Sequence, residues 1–289
     1  MPVTLVTGTS TGIGFATALH FARHGHQVIA TMRDLAKAAP LEGAARAESL
    51  PLVVRALDVT RPESVEQVVA ATRDREGPID VLVNNAGIGG ATPLELTPEP
   101  EHRAMFETNY WGAIRMIQAV LPSMRERRTG CIVNVTSIAG RVATPNQIAY
   151  SASKHALAAA SEALAHEVRA FGIRVAIIEP GVVQTAIFEN SAGATRFDKT
   201  SPYRQIMRRN GKLFAAGFRN PGRAETVAEV IFDAATTDRP RLRYPVGVDA
   251  EGLAAGRARI SDEEWVAMGG ELSDEEYNAR FKRYFGIDL

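Results

Sequence analysis

Cysteine is almost missing from this chain: Cys131 is the only one in 289 residues. No disulfide can form within the chain, and the residue sits in the apolar run Cys131-Ile-Val-Asn-Val135. That predicts a core position and fits a reducing compartment. Net charge is missing too. Lys+Arg (33) equals Asp+Glu (33), so there is no electrostatic case for nucleic acid or an anionic membrane as partner. No apolar run reaches the roughly 20 residues of a membrane span. The chain starts directly on Val3-Thr-Leu-Val-Thr7, which leaves no room for a leader peptide, so the expected location is cytoplasmic. The six histidines show no metal-ligand arrangement. His20 and His24, four apart on a helix, read as a solvated or packed pair, and no metal is expected. No repeat or low-complexity segment is visible.

What is present is a regular alternation of β and α patterns. Short β-branched runs occur at Val3–Thr7, Gln27–Thr31, Leu52–Leu57, Ile79–Val83, Ile132–Val135, Arg174–Ile178 and Leu242–Val246. Between them lie helical patterns at Phe15–His24, at Pro62–Arg73 with Val65, Val68 and Val69 inward, from Pro98 to about Met124, and from about Gln147 to Phe171. Strands alternating with helices predict an α/β fold, a Rossmann-type doubly wound parallel sheet with right-handed crossovers. The expected organisation is a single domain over 1–289. Residues 1–180 form the cofactor-binding and catalytic core, 181–222 a helical substrate lid, and 223–289 a last helix, a strand and a C-terminal helical tail.

Candidate site residues collect at the C-terminal ends of these strands, the edge where open parallel sheets bind ligands. Gly8-Thr-Ser10-Thr11-Gly12-Ile13-Gly14 joins the first strand to the first helix. Its glycines let backbone approach a phosphate, and the helix start offers free N–H groups. The second strand ends Thr31-Met32-Arg33-Asp34. A carboxylate at its first positions would favour NAD, whereas Arg33 is placed to meet the extra phosphate of NADP. Asp34 reads as a cap for the helix starting at Leu35, so NADP is expected, with NAD the alternative. Asp58 and Val59 close the third strand where an adenine amino group would arrive. Asn84-Asn85-Ala86-Gly87 follows the fourth strand and either lines the cleft or forms a turn. Asn109 falls mid-helix, where asparagine is mildly unfavourable and often solvent-facing.

Tyr150 and Lys154 stand four apart, on one helix face. An ammonium near a phenol stabilises the phenolate; bringing the tyrosine pKa from about 10 to working pH takes roughly 4 kcal/mol. Together with Thr7-Gly8-x-x-x-Gly12-x-Gly14, Asn84-Asn85-Ala86-Gly87, Ser137 and Pro180-Gly181, this pair resembles the compact form of the short-chain dehydrogenase/reductase family over about residues 3–190. Ala30-Thr-Met-Arg-Asp-Leu35 and the long tail resemble its hydroxysteroid and retinol dehydrogenase branch.

The resemblance implies an oxidoreductase that moves a hydride between nicotinamide and an alcohol/ketone or aldehyde. Tyr150 would be the general acid or base, Lys154 would lower its pKa and hold the nicotinamide ribose, and Ser137 would bond the substrate oxygen. Asn109 would kink its helix so that a carbonyl holds a water in the proton path. Gly8, Gly12 and Gly14, with Ser10, Thr11 and the Ile13 backbone, would cradle the pyrophosphate. Asp58 and Val59 would meet adenine, Asn85 with Ala86 and Gly87 the ribose region, and Pro180, Gly181, Val182 and Thr185 the nicotinamide.

From Ser201-Pro202 onward, Tyr203, Ile206, Met207, Leu213 and Phe214 fall on one helical stripe and Arg204, Arg208 and Lys212 on another. This reads as a lid closing over an apolar substrate, or as an ordinary core helix with a basic side. Ala139, Phe188 and Met207 are the expected substrate contacts. Arg141 reads as a solvated surface residue, the alternative being a substrate carboxylate partner. Ser261-Asp-Glu-Glu264 and Ser273-Asp-Glu-Glu276 are helix-start signatures in a tail expected to fold onto this domain or a partner subunit. Ala156, Ala158, Ala159, Ala160 and Ala163 beside Tyr150 leave room for a second helix, and the family resemblance makes that a homodimer or homotetramer interface.

Overall fold

A computed structural model describes residues 1–185 and 199–289. Its centre is a seven-stranded sheet of β1 (Val3–Thr7), β2 (Gln27–Met32), β3 (Leu52–Ala56), β4 (Val81–Asn84), β5 (Gly130–Val135), β6 (Ile173–Pro180) and β7 (Arg243–Val246). The strands run parallel in the order β3-β2-β1-β4-β5-β6-β7. The order reverses between β1 and β4, which opens a crevice outside their C-terminal ends. The helices are α1 (Gly12–Arg23), α2 (Ala39–Ala47), α3 (Pro62–Arg75), α4 (Glu99–Phe106), α5 (Gly112–Arg127), α6 (Ile148–Val168), α7 (Arg204–Arg219), α8 (Ala224–Thr236), α9 (Val248–Arg257), α10 (Asp262–Ala267) and α11 (Asp274–Phe285).

The strands are apolar on both faces because both faces are covered. In β2, Val28 and Ala30 enter a core with Phe21 of α1, Leu41 of α2 and Ile231 of α8. Ile29, pointing the other way, joins Val68 of α3 and Met116 and Val120 of α5. Each such side chain contributes about 1.5–3 kcal/mol on burial, so a one-residue register slip would forfeit both layers at once. Cys131 is in the first of these cores, and burial pushes its thiol up to about 11.

The helix expected from Pro98 to Met124 is not continuous. A π-helical turn at Glu107–Trp111 separates α4 from α5. Asn109 lies in that turn and is buried, which corrects the expectation of a solvent-facing side chain. Its Oδ1 accepts from the Ile88 N–H (2.8 Å), and its Nδ2 donates to the Ile88 carbonyl (3.0 Å) and to Ser153 Oγ (3.0 Å). The carboxamide thus substitutes for the backbone partners that the segment after β4 lacks.

The tail forms a third core on this same domain. Ala250 and Leu253 of α9, Met268, and Tyr277, Phe281 and Phe285 of α11 pack with Ile138 and Val142. Both expected caps are present: Ser261 Oγ accepts from Glu264 N while Glu264 accepts from Ser261 N, and Ser273 with Glu276 repeats the pattern.

Candidate active site

The glycine turn is wedged against the end of β4. Gly8 has φ +72°, and a Cβ there would come 2.8 Å from Ala86 Cα. A Cβ on Gly14 would lie 2.2 Å from the Gly8 carbonyl oxygen. Asn85 closes the corner, its Nδ2 donating to the carbonyls of Thr7 (2.9 Å) and Gly8 (3.0 Å). The Thr7 hydroxyl accepts from the N–H groups of Asn85 and Ala86, both at 3.0 Å. Thr11 is the N-cap of α1 with extended backbone and no side-chain cap bond, and no acid stands in the first turn. Ser10 lies within the same turn. The start of α1 therefore keeps its N–H groups and positive dipole end for an anion. These features fit a dinucleotide pyrophosphate.

Arg33 is exposed at the end of β2. Asp34 does cap a short turn, accepting from Ala36 N at 3.0 Å. Asp58 accepts from Thr60 N (3.0 Å) and Thr60 Oγ1 (2.7 Å). Burial pushes its carboxyl upward, but these bonds and the charges of Arg33 and Arg61 hold it below the usual range. Val59 packs against α5, where a Cβ on Gly112 would come 2.6 Å from its Cγ2.

Beside this edge lies a cavity of about 610 Å³. Ile13, Asn85, Gly87, Ser137, Ala139, Tyr150 and Lys154 line it. Pro180, Gly181, Val182, Thr185 and Met207 line it as well, whereas Ala86 and Asn109, also expected at the site, do not. Phe188 falls outside the described residues. Ser137 leaves β5 as the cap of the turn at Ile138–Gly140, accepting from Ala139 N at 3.1 Å. Its side chain is also hydrogen-bonded to the Tyr150 hydroxyl. Lys154 Nζ, buried, donates to the Val135 carbonyl at 3.0 Å and stands 5.9 Å from the centroid of the Tyr150 ring.

The electrostatics differ from the sequence expectation. Burial raises the Tyr150 pKa, and the Ser137 hydrogen bond only partly opposes this. Part of the ring still faces the cavity, so water there softens the push. Burial also lowers Lys154 to about 8. Burial in this cavity thus favours the protonated phenol and opposes the ammonium.

Other expectations divide. Of the α7 stripe, Met207, Leu213 and Phe214 reach the cavity, while Ile206 lies in a second groove against Trp265 and Tyr277. Arg141 pairs with Glu179 at 3.2 Å and does not line the cavity, which leaves the substrate-carboxylate alternative without support. His20 and His24 stack at 4.2 Å, and no metal-binding group occurs among the described residues. No helix among them is long and apolar enough to cross a membrane. Asp249 was not foreseen: its Oδ2 accepts from Val182 N at 2.6 Å, and a Cβ on Gly181 would collide with it.

A glycine-cradled helix start, a doubly wound sheet, and a serine, tyrosine and lysine in one apolar cavity define a nicotinamide-dependent oxidoreductase. Residues 2–195 match the short chain dehydrogenase family. Retinol dehydrogenase 8 of Homo sapiens is 38% identical over 258 residues, 84% of this chain and 81% of that protein. The 17-beta-hydroxysteroid dehydrogenase type 1 of Homo sapiens is 37% identical over 257 residues, covering 84% and 76%. A crystal structure of a short-chain dehydrogenase from Streptomyces avermitilis superposes with a TM-score of 0.80 at 36% identity, covering 93% of this chain and 98% of that one. The chain belongs to the short-chain dehydrogenase/reductase family, near its retinol and hydroxysteroid branch, and is an NAD(P)-dependent oxidoreductase acting on CH–OH groups.

Proposed function

We propose that this enzyme uses NADP(H) to interconvert a secondary alcohol and ketone, or an alcohol and aldehyde, on an apolar substrate. One observation carries the reading: Ser137, Tyr150 and Lys154 share a cavity whose remaining wall is largely apolar. A volume of about 610 Å³ falls in the range of pockets that enclose drug-sized molecules. The names of the two human relatives, a retinol and a hydroxysteroid dehydrogenase, support the same substrate class.

The turn at Gly8–Gly14 and the start of α1 would hold the pyrophosphate, and Arg33 would pair with the added phosphate of NADP. When bound, the dinucleotide supplies or accepts the hydride. The Ser137 hydroxyl orients the substrate oxygen and donates to it as negative charge develops. Tyr150 delivers the proton to that oxygen in reduction and removes it in oxidation. Its raised pKa keeps the phenol in the acid form that reduction requires. Lys154, anchored on the Val135 carbonyl, places positive charge beside the phenol and stabilises the phenolate left after transfer. The apolar wall excludes water and strengthens each of these interactions.

Tyr150→Phe tests the assignment. Turnover should fall by about 10²–10⁴-fold while NADPH, followed by its fluorescence, binds as before. Unchanged turnover would remove Tyr150 from the chemistry. For assembly, α6 supports a homodimer or homotetramer, because Ala152, Ala159 and Ala163 lie exposed along one side of it. Elution at monomer mass across the micromolar range would refute that.

A further inference from the structure

Two polar side chains in the cavity have no part in this chemistry. Asn146 and Asn210 both line it, and each is only 6% exposed. Asn146 Nδ2 and Asn210 Oδ1 are buried with no hydrogen-bond partner. Several other polar groups along the wall have partners. Thr136 donates to the Ile178 carbonyl, Thr144 to Gln147, Lys154 to the Val135 carbonyl, and Asp249 accepts from Val182 N.

A buried polar group without a partner destabilises the fold, and an apolar side chain of similar size would avoid that loss at either position. Asn146 has a partial backbone reason, since it sits at φ +64°, a region that asparagine tolerates better than most residues. Asn210 has none. It lies within α7 on the face that carries Met207 and Phe214 to the cavity, and asparagine is a poor helix former there. The remaining reason is a ligand.

We propose that Asn210, with Asn146, forms a subsite for a second neutral oxygen, hydroxyl or keto, on the substrate whose reacting carbon lies at Ser137 and Tyr150. This rests on the oxidoreductase reading above. A carboxamide offers one acceptor oxygen and two donor hydrogens, so it serves a hydroxyl in either orientation. An anionic group is disfavoured, because Lys154 is the only cation among the described lining residues and is already held at the catalytic end. The substrate class is therefore an apolar skeleton with two separated oxygen functions.

The probes are matched ketones with and without a distal hydroxyl: decan-2-one against 10-hydroxydecan-2-one, and androstan-17-one against its 3-hydroxy derivative. With NADPH, the hydroxylated member of at least one pair should show a KM lower by about tenfold, the scale of one well-made hydrogen bond. In Asn210→Leu that ratio should fall toward one, and Asn146→Gly should reduce it. The cofactor-free Asn210→Leu protein should also melt higher than wild type, whereas a structural asparagine would make it melt lower. Should that variant fail to fold, Asn210→Met gives the same comparison. Equal KM values within both pairs in wild type, or a ratio unmoved in the variants, would overturn the subsite. If no ketone is turned over, the functional reading fails instead. The shift in melting temperature given by each pair then decides the subsite: a wild-type preference lost in Asn210→Leu supports it, and no preference overturns it.

Discussion

Arg208 and Arg209 are neighbours in α7, and both approach Asp274 at the start of α11. By distance Arg208 has the better contact, 2.6 Å against 3.9 Å. Burial reverses that order. Arg208 is 54% exposed, and an exposed ion pair is worth about 0.2–1 kcal/mol. Arg209 is 1% exposed, donates to the Leu272 carbonyl at 2.6 Å, and lies 4.4 Å over the Tyr277 ring. Truncation to alanine removes a charged hydrogen bond of about 1.5–3 kcal/mol and a desolvated cation–π contact of about 2 kcal/mol. Its Nε is buried without a partner, and relief of that atom returns about 1 kcal/mol. The net loss is then roughly 2.5–4 kcal/mol, all of it in the contact between α7 and the tail. Because α7 carries Met207, Asn210 and Phe214 into the cavity, loosening it should raise KM. Arg209→Ala should therefore raise the ketone KM at least tenfold and speed chymotryptic nicking of the tail, while Arg208→Ala stays within about threefold on both. Equal effects from the two variants, or an inert Arg209→Ala, would refute the ranking by burial.

Further outcomes follow from single contacts. Gly14→Ala should abolish dinucleotide binding and lower the melting temperature, because its Cβ would sit 2.2 Å from the Gly8 oxygen. Gly43→Ala, in α2 with no atom within 4 Å of the added carbon, should stabilise by about 0.4–1 kcal/mol in urea unfolding. Lys154 binds its proton less tightly folded (about 8) than its ordinary value of 10.5, so the unfolded chain holds more protons between those values and stability should rise there with pH. Relative to non-titrating Lys154→Met, the cofactor-free wild type should gain up to about 3 kcal/mol from pH 8 to 10.5; parallel urea-unfolding profiles would contradict this. Arg33→Ala should weaken NADPH about tenfold or more while sparing NADH, and equal loss of both in fluorescence titrations would detach Arg33 from cofactor choice.

What could be read before folding was whatever a short stretch encodes by itself. The strands at Val3–Thr7 and Gln27–Met32 are rich in β-branched residues, and the turn at Gly8–Gly14 joins a strand to a helix in the way a phosphate site requires. Ser137, Tyr150 and Lys154 converge because a strand end and one helix face are rigid. Asn109 shows the limit of such reading. Local propensity placed it in solvent, yet its partner Ile88 lies 21 positions away and reverses the outcome. The pKa expectation failed for a similar reason, since spacing reports proximity but not desolvation.

Two of the residues that sequence reasoning missed, Asp249 and Arg209, share one property: their partners lie far away along the chain. Asp249 meets Val182 across 67 positions, and Arg209 meets Leu272 across 63. Neither side chain carries a local mark, as an acid near a helix start is ordinary capping chemistry and an arginine beside Arg208 reads as one more solvated charge. Their joint effect is nonetheless definite. Asp249 fixes the backbone at Val182, Arg209 fixes α7, and both segments form walls of the cavity that holds Tyr150. The half of this cavity that holds Ser137, Tyr150 and Lys154 is encoded in the first 180 residues, whereas the shape of the opposite wall is set by the residues after them. Relatives that keep the first and change the second should therefore retain the reaction and alter what enters the cavity.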